Sequence, residues 1–145
     1  MIIRAMTQSD VDAVYEIEKS AHITPWNEKL LSDCINVGYS CFVLVEQNQI
    51  RGFMIARQLV RQCHLLNLCI APKHQGRGFG GALLIYLMEG VKDSCYKIQL
   101  EVRPSNHIAR KLYAKLGFKE SGIKKNYYVD TEGTYEDALL LMYKW

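Results

Sequence analysis

The residues best suited to chemistry gather around a run of glycines. Gln75-Gly76-Arg77-Gly78-Phe79-Gly80-Gly81 puts four glycines within six residues, between an apolar segment and an amphipathic one. At a strand-to-helix turn of this composition, successive backbone N–H groups stand clear of side chains and the helix dipole adds its positive end, so the chemistry indicated is phosphate binding. A turn needed only for close packing of strand against helix would use the same glycines. Glu101, ending a later apolar segment, supplies a carboxylate near the strand edge where ligands of open α/β sheets gather. Such a group can serve as a general base.

Two parses of the turn compete. Gly76-x-Gly78-x-x-Gly81, with Glu101 twenty residues on, matches the dinucleotide fingerprint and its ribose-binding acid. A Rossmann domain begins with that strand and continues through further βαβ units, whereas about half of this chain precedes the turn and only 44 residues follow Glu101. A Walker A loop is excluded, since no Lys-Ser or Lys-Thr follows the glycines. The other parse is Gln75-x-x-Gly78-x-Gly80, preceded by Leu66-Asn67-Leu68-Cys69-Ile70.

The sulfur and imidazole groups offer less. Five cysteines (Cys34, Cys41, Cys63, Cys69, Cys95) are odd in number, contain no CxxC and mostly sit in apolar stretches, where Cys acts as a small hydrophobe. Cys69 has no adjacent basic residue to make it a thiolate; His64 lies five residues away on the same strand. His22, His64, His74 and His107 lack metal-ligand spacing, so no metal is expected.

Hydrophobic patterning supplies the elements that must position these groups. Ile2 to Met6 reads as a strand, and Thr7 with Asp10 as a capping-box start for a helix to about Ser20. Pro25 and Trp26 interrupt the chain before a helix from about Asn27 to Asn36. Cys41 to Glu46 and Ile50 to about Val60 read as a hairpin around Gln47-Asn48-Gln49. Cys63 to Ala71 is the most apolar strand, expected at the centre of the sheet, and Pro72 stops it. The helix after the glycines, to about Asp93, carries Phe79, Leu83, Leu87 and Val91 on one face. Lys97 to Val102 is a strand, and His107 to Leu116 a helix closed by Gly117. Strands from about Phe118 to Val129 and Glu136 to Tyr143 finish the chain.

Composition narrows the class. At 49% hydrophobic and 23% charged, collagenous, disordered and disulfide-scaffold proteins are excluded, and 145 residues suit one compact domain, 1–145. A net charge of +3 does not require a nucleic-acid partner, and no direct nucleic-acid binding is expected. Seven Lys/Arg (Arg103, Arg110, Lys111, Lys115, Lys119, Lys124, Lys125) face only Glu120 in their stretch, which leaves a solvated surface and an anion-binding one both open. The N-terminus lacks a signal-peptide layout and no apolar run is long enough to span a bilayer, so a soluble cytoplasmic protein without membrane contact is expected.

Taken in order, several segments resemble the GCN5-related N-acetyltransferase (GNAT) superfamily along essentially the whole chain. They include the Gln75-x-x-Gly78-x-Gly80 turn after its apolar strand, and Asn106 with Leu112-Tyr113-Ala114-Lys115-Leu116-Gly117-Phe118. The segments His22 to Glu28, Leu100-Glu101-Val102-Arg103, Asn126-Tyr127-Tyr128 and Glu136-Asp137-Ala138 are similar, more narrowly, to the RimI branch of bacterial ribosomal-protein alanine acetyltransferases. The resemblance implies a mixed α/β fold: a largely antiparallel central sheet of about seven strands with about four helices on its two faces.

It also implies acetyl-CoA as the acetyl donor, with no metal. Its pyrophosphate would lie on Gly76, Arg77, Gly78, Phe79, Gly80 and Gly81 with Gln75 at the entrance, and its pantetheine arm along the main chain of Leu68, Cys69 and Ile70. Glu101 matches the branch's proton acceptor, and Tyr113 the phenol that meets the departing thiolate. Asn106 matches a residue on the acyl-CoA arm, though Asn is also an excellent N-cap. Trp26, Tyr127 and Tyr128 would wall the acceptor, while Asp130, Glu132, Glu136 and Asp137 could attract a basic leader; ordinary packing and loop solvation would account for all seven as well. The implied acceptor is a protein N-terminus, most narrowly the alanine of a small-subunit ribosomal protein; a small amine, a lysine side chain, or a non-catalytic acyl-CoA- or ribosome-binding module remain alternatives.

Overall fold

Seven strands form one sheet in the computed structural model, which describes residues 1–145. They are β1 (Ile2–Ala5), β2 (Ser40–Glu46), β3 (Gln49–Leu59), β4 (Gln62–Ile70), β5 (Lys97–Val102), β6 (Lys119–Val129) and β7 (Tyr135–Lys144). The sheet order is β1-β2-β3-β4-β5-β7-β6, and every pairing is antiparallel except β4 with β5. Helices α1 (Val11–Ala21) and α2 (Glu28–Asn36) separate β1 from β2, α3 (Phe79–Val91) separates β4 from β5, and α4 (His107–Lys115) follows β5. The expected mixed, largely antiparallel α/β architecture is what the chain forms. One parallel pair is too few for a doubly wound nucleotide fold, which disposes of the dinucleotide parse. No helix is long and apolar enough to cross a membrane.

Local chemistry accounts for the helix ends. Asp10 accepts from the Thr7 amide at 2.8 Å and is gripped by both terminal nitrogens of Arg4, which fixes a short 3-10 turn (Gln8–Asp10) ahead of α1. The Asn27 side chain accepts from the Leu30 amide at 2.8 Å and starts α2. Each face of the sheet buries its own apolar cluster. The larger lies under α3 and α4 and includes Phe79, Leu83, Leu87, Val91 and Tyr113; the smaller lies under α1 and α2 and includes Val14, Ile17, Leu31, Phe53 and Cys69.

Two irregularities in β4 shape everything that follows. Ile55 of β3 pairs with Asn67 and Ala56 with Leu65, so Leu66 is an extra residue and the alternation flips there. Cys63 and Leu65 therefore face the larger cluster, whereas Asn67 and Cys69 face α1. On its other side β4 pairs with β5 only at Gln62, Cys63 and His64. Beyond these the two central strands part.

The far end of β4 carries an unfavourable turn. Val60 and Arg61, between β3 and β4, both have positive φ (51° and 61°). A two-residue hairpin turn of this kind favours Asn-Gly, and the left-handed region costs a β-branched residue roughly 1–2 kcal/mol. Replacing Val60→Asn together with Arg61→Gly should raise stability by about 1 kcal/mol, or roughly 3 °C in a thermal melt. A lower melting temperature would show that these side chains contribute contacts outweighing their backbone strain.

Candidate active site

The parting of β4 and β5 opens a cavity of about 540 Å³. One wall is β4 from His64 to Leu68, and the opposite wall is β5 from Leu100 to Val102, continuing through Arg103 to Asn106 and to Ala109 and Tyr113 of α4. Glu18, His22 to Thr24 and Trp26 close it from the α1–α2 side, and Tyr127 to Val129 from β6. Strands that no longer pair leave main-chain N–H and C=O groups facing the gap. A ligand carrying amide groups can take them up as an added strand would.

Past Ile70 the chain enters the glycine turn. Gly76 and Gly78 have φ of +77° and +83°, and an added Cβ would meet nothing within 4 Å at either, so glycine is there for backbone conformation and not for space. Gly80 and Gly81 do something else: a Cβ there would lie 3.3 and 3.6 Å from Leu112, so they let the start of α3 approach α4. No protein acceptor takes the amides from Gly76 to Gly81, and three of these belong to the first turn of α3. Amides left open in this way at a helix N-terminus are able to hold an anion. Gln75 donates back to the Ile70 carbonyl at 3.2 Å and so closes the end of β4. Arg77 folds over Phe79 and onto Glu46 of β2, whose carboxyl it holds below the ordinary carboxylate range. The cavity reaches Leu68 but not Cys69, Ile70 or the turn, which continue along the same strand. Cys69 is buried, its thiol pushed up to about 12 by desolvation with Glu18 nearby, so it is no nucleophile.

Glu101 faces away from α3, since Ile98, Leu100 and Val102 take the larger cluster. Its side chain is 10% exposed, with Oε2 2.6 Å from His64 Nε2 and Oε1 3.0 Å from Lys124 Nζ. Burial pushes this carboxyl up, but the hydrogen bonds and charges of His64 and Lys124 together bring it below its ordinary value. Tyr113 approaches the cavity from the opposite face, packed on Phe118, and burial raises its phenol well above the ordinary value, so it stays protonated. Asn106 fills both roles open to it: its side chain accepts from the Ala109 amide at 3.2 Å as the N-cap of α4, and it lines the cavity.

The aromatic residues Trp26, Tyr127 and Tyr128 all reach the cavity. Lys124 pairs with Ala138 but Tyr128 with Glu136, so three residues of β6 bulge against one of β7, and Asn126 takes φ of 52°. The bulge turns both tyrosines toward the site, Asn126 donating its amide to Asp137 at 2.9 Å. Arg103 binds Asp130 and Glu136, each at 3.0 Å, and stacks on Tyr128. Glu136, Asp130 and Asp137 are thus committed to the protein; Glu132 is exposed with no such partner. The basic stretch likewise resolves into pairs: Arg103, Arg110, Lys124 and Lys125 each meet an acid.

Sequence patterning had singled out neither His64 in relation to Glu101 nor the buried group around Glu18. Glu18 accepts from Asn67 Nδ2 at 2.9 Å and from the Trp26 amide at 3.0 Å, pinning the α1–α2 connection to β4. Its signal was a charged residue on the buried stripe Val11, Val14, Ile17. Glu18, His22 and Cys69 place ligand-type atoms within 4.8 Å of one another, but protein donors already occupy both oxygens of Glu18.

The profile of the Acetyltransferase (GNAT) family matches residues 11–118. A ribosomal protein bS18-alanine N-acetyltransferase of Haemophilus influenzae is 40% identical over 141 residues, covering 97% of this chain and 96% of that protein. The Escherichia coli protein of the same description is 36% identical over 140 residues, 96% of this chain and 94% of its own. The crystal structure of the ribosomal-protein-S18-alanine N-acetyltransferase from Escherichia coli superposes with a TM-score of 0.91 at 35% identity, covering 99% of this chain and 92% of that one.

The protein's ion pairs carry a pH signature. Asp10, Glu46 and Glu101 all have carboxyls below their ordinary values. A depressed carboxyl contributes stability that is fully present above its unfolded pKa of about 4 and is lost as pH falls through its lower folded value. Urea midpoints should therefore fall steadily on acidification from about pH 5 toward pH 2, less steeply in Glu101→Gln. A midpoint flat over that range would contradict these pairings.

Proposed function

The chain belongs to the GNAT acetyltransferase family, and on that premise we propose that it transfers acetyl from acetyl-CoA to the α-amino group of an N-terminal alanine on a small-subunit ribosomal protein. The observation that carries this reading is the cavity between the parted strands, with Glu101 on its α1–α2 side and Tyr113 on its α3–α4 side. Two reactants can meet there from opposite faces of the sheet. The full-length similarity to the two bS18-alanine acetyltransferases supports alanine and the ribosomal partner. Residues 1–145 act as one acetyltransferase domain, and a ribosomal substrate puts the reaction in the cytoplasm.

Acetyl-CoA supplies the thioester, whose carbonyl carbon takes the amine and whose sulfur leaves as a thiolate. The donor's phosphates suit the amides from Gly76 to Gly81, and its amide-bearing arm suits the unpaired edge of β4 through Leu68, Cys69 and Ile70. Asn106 adds a polar contact from the facing wall. Trp26, Tyr127 and Tyr128 wall the acceptor and keep water from the reacting amine. A free α-amino group has a pKa of about 7.7–8.0, so at neutral pH it must lose one proton before it can attack, and Glu101 serves that base end. Tyr113, kept protonated by burial, offers its hydroxyl to the leaving sulfur.

A peptide with a free N-terminal alanine and one internal lysine, incubated with the protein and acetyl-CoA, should gain acetyl at the α-nitrogen by mass spectrometry. Acetylation confined to lysine, or no product, would overturn the assignment. Glu101→Gln and Tyr113→Phe should each lower kcat by about 10²- to 10⁴-fold while acetyl-CoA affinity stays nearly unchanged. Variants that instead lose donor affinity at unchanged kcat would move these residues from the chemistry to the binding of the donor.

A further inference from the structure

We propose that His64 is a catalytic residue and that the base is a His64–Glu101 pair, the imidazole taking the proton from the acceptor ammonium while Glu101 holds the ring. This deepens the acetyl-transfer reading and rests on it. Both oxygens of Glu101 are engaged by donors, Oε2 by His64 and Oε1 by Lys124. A carboxylate held in that way is a weak acceptor for a proton from an amine.

The imidazole is better placed. His64 lines the same cavity, and its side chain is 18% exposed. An ionised carboxylate can only accept, so at 2.6 Å His64 Nε2 must be the donor, which leaves Nδ1 of the neutral ring as a free acceptor. A base whose second nitrogen is fixed by a carboxylate has the tautomer and orientation that proton removal needs. The ring is set by backbone register: His64 sits at the last paired position of β4 with β5, opposite Gln99, so Glu101 on the same face lies just where the strands part.

Charged and titratable groups of each neighbouring element pair with His64, bind its partner Glu101 or line the same cavity. Arg57 of β3 is its direct cross-strand partner, and its buried Nε has no hydrogen-bond acceptor. Lys124 and the two phenols Tyr127 and Tyr128 come from β6, Arg103 follows β5, and Glu18 and His22 border the cavity from the α1 side.

The proton account balances. One N–H bond of the ammonium breaks and its proton moves to Nδ1, giving an imidazolium paired with Glu101. The amine lone pair forms the C–N bond, and the C–S pair leaves on sulfur. The nitrogen sheds its second proton, which neutralises the thiolate beside Tyr113, and His64 returns its own to water. Each acetyl transferred thus releases one proton.

The test is the pH dependence of kcat/KM on the alanine peptide for wild type and His64→Gln, whose side-chain amide can still donate to Glu101 but cannot take up a proton. Wild-type kcat/KM should rise with pH through an ionisation that His64→Gln loses, with kcat/KM lowered about 10²-fold and acetyl-CoA affinity unchanged. Added imidazole should restore part of the activity of His64→Ala, which a purely structural role would not allow. An active wild type with a His64→Gln variant within about twofold of it and the same pH profile overturns the pair alone. A wild type that acetylates no amine overturns both the pair and the reading beneath it.

Discussion

The early parting of β4 and β5 is the constraint on which the rest depends. A parallel pair in mid-sheet would ordinarily run its ladder to the end, because unpaired buried main-chain groups are costly. Here the pairing stops after His64, and the sheet stays whole because β3 holds β4 along its length and β7 holds β5. The gap between them supplies a cavity, two rows of main-chain groups, and access from both faces. The glycine turn needs nothing further to lie beyond one end of it, since it follows directly from the freed half of β4.

Around that gap the protein commits its charges in pairs. Arg103 joins the β5–α4 connection to the β6–β7 hairpin through Asp130 and Glu136, with Glu136 also accepting from the Ser105 amide and hydroxyl. Glu18, buried, joins the α1–α2 connection to β4 through Asn67, a contact made possible only by the extra residue Leu66. Residues with the charge to attract a substrate are thereby used to hold the loops that would enclose it. On the proposed reading, specificity for an acceptor then falls mainly to the shape of the aromatic wall.

Much of the fold was legible because it is written in local patterns. The cap at Asn106, the start of α2 near Asn27, the apolar stripe of α3 and the seven strands all follow from side-chain period and turn chemistry, and each lies within a residue or two of its expected bounds. The glycine turn was legible for the same reason, since positive φ at Gly76 and Gly78 is a property of the backbone itself. What sequence could not supply was register. The pairing of His64 with Glu101 spans 37 residues and depends on where β4 and β5 align, and the bulge at Leu66 decides which of its neighbours face α1. The pairing of Glu136 and Asp130 was hidden for a related reason: their partner Arg103 lies 33 and 27 residues away along the chain.

On the proposed reading, the freed edge of β4 and the glycine turn together receive the acetyl donor. Hydrogen exchange of the whole protein with and without saturating acetyl-CoA tests it most directly. Protection should rise at the amides from Leu65 to Ile70 and from Gly76 to Gly81, with the β1–β2 edge of the sheet unchanged. Protection confined to other elements, or unchanged exchange in both segments while the donor is bound, would contradict it.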